Sequence, residues 1–346
     1  MEKTKVIIDT DMGPAAAVAV LAALLDEEVE VLAIGLCHGT VELEAAKENL
    51  AALLALSNGG DIPVAIGASS LEGGPVQVTP QALYLNRGFE NLRVDAPPLA
   101  PSDQSAPALY RQILEAEESV SILALGPLTN IAALLKQDPA CKGHIKQLVY
   151  CGGSFARGGP TPMADVNTYL DAPAAAACME AGLPFVLCPQ DLGKQARVNQ
   201  SKTPTFAITC FSRPEELAQI TGEEIVGLAK QGGDLARQFS RLLKSQWNQV
   251  NWQEEPGCRE NPLAIRPLAA LLICKDRSLA RTGSYYCKVE LSSQNLYGMT
   301  MIDIHGLYQM DARNPAYGKQ NIILVEGVSR QALLPTFGRF HDRKSE

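Results

Sequence analysis

Six short apolar runs punctuate the first half of the chain: KVIID (5–9), VEVLAIGLC (29–37), IPVAIG (62–67), SVSILALG (119–126), IKQLVYCGG (145–153) and PFVLCP (184–189). Their apolar residues are continuous rather than alternating, the pattern of strands covered on both faces. Between them lie AVAVLAALLDEE, VELEAAKENLAALLALS, SAPALYRQILEAEE, LTNIAALLKQDPACKG and APAAAACMEAG, with apolar residues at helical spacing. Strand and helix in alternation specify an α/β fold, a mainly parallel sheet with helices on both faces. From about Glu215 the pattern changes. A long amphipathic segment broken at Gly232-Gly233 predicts two helices, and GSYYCKVELSS, LYGMTMIDIHG and KQNIILVEGV predict an antiparallel portion after them. The piece from Leu71 to Asp103 lacks periodicity and is too long for a passive connector, so a loop over the site is expected there.

Bulk properties narrow the class without naming it. With 346 residues, 46% hydrophobic and 20% charged, the chain is an ordinary globular sequence, read as a single domain over 1–346. A net charge of −8 with no basic cluster argues against nucleic acid or an anionic membrane as partner. No secretory h-region and no membrane-length apolar stretch is present, so a cytoplasmic location is expected. Nine cysteines are scattered without a C-x-x-C pair, which predicts buried free thiols rather than zinc or a disulfide framework. His38, His144, His305 and His341 share no spacing and are expected to be structural or exposed.

Ligands of a parallel α/β sheet sit beyond the carboxyl ends of its strands. Asp9 and Asp11 end the first run, Gly39 follows the second, Gly126 the fourth and Gly152-Gly153 the fifth. Each glycine alone reads as a turn residue. Together they outline one mouth.

Four ordered segments then carry a resemblance. IIDTDMG (7–13), GPLTNIAALL (126–135), GGSFARGGPTPMADVNTYLDAPAAA (152–176) and DIPVAIGAS (61–69), with FGRF near the end, are similar to the signatures of the inosine–uridine-type nucleoside hydrolases. These are calcium-dependent N-ribohydrolases. The resemblance implies their fold, a parallel sheet flanked by helices with a helical and antiparallel C-terminal portion. It also implies a small-molecule substrate and a homodimer or homotetramer.

Residue by residue, the resemblance implies a depleted site. The family's D-T-D-P-G-x-D-D-A turn falls on Asp9 to Ala17, so its two following carboxylates become Ala15 and Ala16. The ribose-contacting asparagine falls on Thr40 and the loop histidine on Leu85, between Tyr84 and Asn86. The asparagine of G-N-x-T-P becomes Gly159, and the glutamate of A-E-F-N becomes Asp165 while Asn167 is kept. The C-terminal H-D pair falls on Glu260-Asn261. The Leu125 carbonyl remains a possible backbone ligand.

Calcium takes six to eight oxygens and its affinity follows the number of charged ligands. The three implied carboxylate positions read Asp11, Ala16 and Asn261, so no metal and no other cofactor is expected. Loss of charge and bulk also predicts a larger, drier pocket. The leading expectation is therefore a repurposed, metal-independent enzyme of the cyclase, cycloaddition, isomerase or lyase type, acting on an apolar biosynthetic substrate. The alternatives are a non-catalytic scaffold and residual N-ribohydrolase activity. Expected catalytic groups are Asp11, Glu260 and Asn167. Asp9, Ala15, Ala16, Thr40, Tyr84, Leu85, Arg87, Asp165, Asn261 and Trp247 are expected to line the substrate pocket.

Overall fold

All six apolar runs become strands of one sheet. The computed structural model describes residues 2–67, 94–155, 158–193, 219–231, 234–252, 263–329 and 331–333. Within them β1 (Thr4–Thr10), β2 (Val29–Leu36), β3 (Val64–Ile66), β4 (Val120–Ala124), β5 (Ile145–Cys151) and β6 (Phe185–Cys188) fall on the runs. Val6 and Ile8 of β1 enter one apolar cluster and Ile7 the other. A strand whose alternate residues feed two cores has to be apolar throughout.

Helices α1 (Pro14–Leu25) and α2 (Leu43–Ser57) cover one face, with α3 (Ala106–Ala116) and α4 (Thr129–Gln137) on the other. The short α5 (Val166–Leu170) leads into α6 (Ala172–Glu180), which joins the second face. Then α7 (Gly222–Gln231), α8 (Asp234–Trp252) and α9 (Arg266–Lys275) return to the first. Two helices are found as expected, α7 ending at Gln231 and α8 beginning at Asp234, while Gly232-Gly233 lie outside the described residues. Gly13 provides no side-chain cap to α1, and Pro14 supplies only a preset first turn. Burial stabilises this helix instead. Ten of its twelve residues are buried, and it packs against α2, α8 and α9, as an all-round apolar helix must.

Two-residue strands β7 (Gln219–Ile220) and β8 (Leu263–Ala264) pair antiparallel, as do β10 (Cys287–Val289) and β11 (Thr300–Ile302). The expected antiparallel C-terminal portion is present, and one of its strands also extends the main sheet. β12 (Ile322–Val328) enters the main sheet, parallel to β6 and antiparallel to β9 (Ala280–Tyr285), giving the order β3-β2-β1-β4-β5-β6-β12-β9. Ile322 and Leu324 serve one core, Val325 and Val328 the other. That two-sided burial is what a hairpin with one wet face lacks. Most of the loop expected at Leu71–Asp103 lies outside the described residues; from 94 onward it has no helix or strand before α3, only a bridge of Ser105 to Ile66.

The seven described cysteines, Cys37, Cys141, Cys151, Cys178, Cys188, Cys274 and Cys287, are buried and free, as expected. Among the described residues no helix is long and apolar enough to cross a membrane.

Candidate active site

The chain leaves β1 toward β2 and β3 on one side, then returns to place β4 on the other. The carboxyl ends of β1 and β4 therefore form a topological switch point, where such sheets bind ligands. Leu125 N donates to Asp9 O (2.7 Å) and ties the two strand ends together.

Asp11 stands at this point. Its Oδ2 accepts from Thr40 N (2.8 Å) and Thr40 Oγ1 (2.6 Å), and its Oδ1 from Gly13 N (3.1 Å). The carboxylate is buried but its charge is met by three donors. A Cβ on Gly39 would lie 2.3 Å from Asp11 Cβ, so only glycine lets the strand β2 exit pass so close. The glycine expected to serve a turn is thus a clearance for the acid.

Behind Asp11 lies a second, sealed carboxyl. Asp9 Oδ2 accepts from Tyr110 Oη (2.5 Å) and Asn130 Nδ2 (2.8 Å), joining β1 to α3 and α4. Burial pushes its pKa up to about 6, against the hydrogen bonds from Tyr110, Asn130 and Cys37 that pull it down. Tyr110 enters through a gap that a Cβ on Gly35 would close at 1.6 Å from the phenol oxygen. Asp9 was expected to touch substrate; it is fully buried and braces the mouth from within.

The far wall is built on the end of β5. Asp165 caps α5, its Oδ1 accepting from Asn167 N (3.0 Å), while its Oδ2 accepts from Arg266 Nη1 (3.0 Å) at the start of α9. Asn167 Nδ2 donates to Cys151 O (2.8 Å) and Leu125 O (3.3 Å). Both partners are carbonyls, so the amide orientation is forced and Oδ1 turns away from them. Burial opposes the Arg266 cation, but Asp165 and Cys151 outweigh it and hold the guanidinium above its ordinary pKa.

The structure therefore brings together Asp11, Thr40, Asp165 and Asn167, with Asp9 behind them. Ala15 is half-buried at the start of α1, while Ala16 is closed into the core with residues of α8 and α9. Trp247 lies on α8, and its side chain is outside the described residues, as are Tyr84, Leu85, Arg87, Glu260 and Asn261. Gly159, read against the family's asparagine, donates its N–H to Ala164 O (2.8 Å), and a Cβ there would meet Gln190 Oε1 at 3.7 Å. Three groups that contact the acids of the mouth escaped the sequence reading. Asn130 sat inside the GPLTNIAALL signature, Tyr110 on a helix read only for its apolar face, and Arg266 just after the segment scanned for acids.

The turn also differs from the family's in backbone. Met12, where the family places proline, has φ +53°, which a proline ring forbids. Its N–H donates to Thr10 Oγ1 (3.0 Å) and its carbonyl accepts from Asn49 Nδ2 (3.2 Å).

Do these residues fit calcium? Among the described residues Asp11 is the one carboxylate at the mouth not already paired with a cation or sealed behind it, and three donors meet it. Ala15 and Ala16 offer no side-chain oxygen, and an amide already addresses the Leu125 carbonyl. Among the described residues no group of three or more His, Cys, Asp or Glu could hold a metal ion. The described residues do not fit a calcium ion.

Residues 6–334 match the family model for inosine-uridine preferring nucleoside hydrolase. The chain is 30% identical over 306 residues to the non-specific ribonucleoside hydrolase RihC of Salmonella schwarzengrund, covering 87% of this chain and 88% of that protein. A second RihC, from Escherichia fergusonii, is 36% identical over 195 residues, which are 55% of this chain and 62% of that protein. Among solved structures, the plant nucleoside hydrolase PpNRh1 superposes with a TM-score of 0.79 at 21% identity, covering 98% of this chain and 99% of that one. An inosine-guanosine nucleoside hydrolase gives 0.79 at 21%, over 99% and 100%. These last two bear on the fold alone.

The relatives overturn the leading expectation of a repurposed, metal-independent cyclase, isomerase or lyase, since those matched over most of their length are named ribonucleoside hydrolases. Ala16 is buried within an apolar cluster, and the mouth keeps a dense polar network. This chain belongs to the inosine-uridine preferring nucleoside hydrolase family.

Proposed function

We propose that the protein acts on ribonucleosides and cleaves their N-glycosidic bond by hydrolysis. In that reaction water adds to the anomeric carbon, the carbon–nitrogen bond breaks, and the base leaves with a proton. The ribose ring carries positive charge at the transition state. A buried carboxylate fixed beside it is worth more than in water, because its dipolar surroundings are already oriented.

One observation carries the reading: Asp11, held by Thr40 and Gly13, stands at the switch point in a chain matched along its length by ribonucleoside hydrolases. Asn167 on the opposite wall, its backbone held by Asp165, supplies a polar group for a sugar. No step is assigned to a metal, because the described residues do not fit one.

The test is direct. The protein is incubated with inosine and with uridine, with and without added calcium, and free base and reducing sugar are followed by chromatography. Equal release of the two products is expected, and it should vanish in Asp11→Ala. No release from either nucleoside over hours at micromolar protein would overturn the proposal.

A further inference from the structure

Arg266 is the one buried-side cation at the mouth that the described residues show, and nothing in the family signatures quoted above assigns it a role. It opens α9 and reaches over the end of β5. Its pairing with Asp165 is through a single nitrogen, Nη1 to Oδ2 at 3.0 Å, although an arginine–carboxylate pair can close two parallel bonds. The other oxygen of Asp165 is committed to capping α5. Beyond Asp165 the guanidinium interacts with the Cys151 thiol, so of its five N–H donors several have no partner among the described residues.

Two further observations bear on where those donors lie. The side chain is 15% exposed where its partner Asp165 is 1% exposed, so the pair is sealed on the acid's side and open on the cation's. The Cys151 thiol feels Arg266, Asp165 and Asp11 together, which puts both walls of the mouth in one electrostatic neighbourhood. The acceptors of that neighbourhood are complementary. Asp11 Oδ1 carries one hydrogen bond, and Asn167 Oδ1, turned away from the carbonyls its amide serves, carries none among the described residues.

We propose that Arg266 is a specificity-determining residue that donates to the hydroxyl oxygens of the ribose, with Asp11 and Asn167 accepting the hydroxyl protons. A sugar diol is donor and acceptor at once, and a guanidinium with donors to spare, at a mouth where Asp11 Oδ1 and Asn167 Oδ1 each have room for a further hydrogen bond, matches it. A structural ion pair alone accounts for Asp165 but not for the donors left over. This inference rests on the nucleoside reading above.

The experiment uses formycin B, an inosine analogue joined through carbon and so not hydrolysable, and its 2′-deoxy form, each titrated calorimetrically. Arg266→Met alone strands Asp165 as an unpaired buried charge, so the double variant Arg266→Met/Asp165→Asn is measured beside it, with Arg266→Lys as the conservative change. Wild type should favour formycin B over the 2′-deoxy form by tenfold or more. The folded double variant should bind formycin B at least tenfold more weakly while its affinity for the 2′-deoxy form barely moves, and Arg266→Lys should recover part of the preference. Equal weakening of both ligands, or no weakening, would overturn the role of Arg266 and leave the nucleoside reading standing. Failure of wild type to bind either ligand would sink that reading and this inference together.

Discussion

Thr40 Oγ1 donates to Asp11 Oδ2 across 2.6 Å, linking the loop after β2 to the end of β1. Thr40 N reaches the same oxygen at 2.8 Å. Removing the hydroxyl keeps the backbone bond and leaves a buried carboxylate one donor short. Thr40→Val should therefore cost about 1.5–3 kcal/mol in urea unfolding, and Thr40→Ser should recover most of it. If the proposed hydrolysis is measured in parallel, Thr40→Val should lower kcat more than it raises KM.

Asp9 makes the stability of the fold depend on pH. Its folded pKa is about 6 against an ordinary value of 3.8. A carboxyl raised on folding contributes stability that is complete below about pH 3.8 and is lost as pH rises through 6. The sum is on the order of 2–3 kcal/mol. Asp9→Asn keeps an oxygen to accept from Tyr110 and Asn130 and cannot ionise. Its unfolding free energy, followed from pH 4 to 7, should lack the downward component that wild type shows; an identical slope in both proteins would refute this account.

Gly39→Ala tests the clearance around Asp11. The added methyl would stand 2.3 Å from Asp11 Cβ and 2.6 Å from Oδ2. Neither neighbour is a flexible chain end. A loss of about 1–3 kcal/mol in stability is expected, together with loss of base release, because Asp11 must shift to make room.

Met12→Pro would install the residue the family's turn carries, and here it should harm. Proline cannot adopt φ +53°, lacks the N–H that Met12 gives to Thr10, and vacates a fully buried side chain. Thermal unfolding should show a loss of about 3 kcal/mol or more.

The sheet was legible because each strand feeds two cores and so carries an unbroken apolar signature; β1 and β5 are the clearest cases. The antiparallel reading of IILVEGV holds toward β9, but its parallel pairing with β6 was not legible, because only those neighbours decide which sheet the strand joins. At the site, Asp11, Thr40, Asp165 and Asn167 could be found because the motif that carries them is local. Arg266 and Tyr110 could not. Arg266 stands 101 positions from Asp165 and Tyr110 101 positions from Asp9, and no spacing rule spans such distances. The alanines misled for a different reason: a small residue in sequence does not say whether it lines a pocket or joins a core, and Ala16 is a buried member of the core cluster.

The place of β12 between β6 and β9 has a consequence for synthesis on the ribosome. Everything that shapes the mouth from β1 to β6 emerges before residue 190, yet β6 presents an unpaired parallel edge until Ile322–Val328 has been translated. Over that interval the nascent chain offers a sticky ribbon of backbone donors and acceptors flanked by apolar residues. A ribosome stalled before Ile322 should release a product that aggregates, even though it already contains Asp11, Asn167 and Arg266.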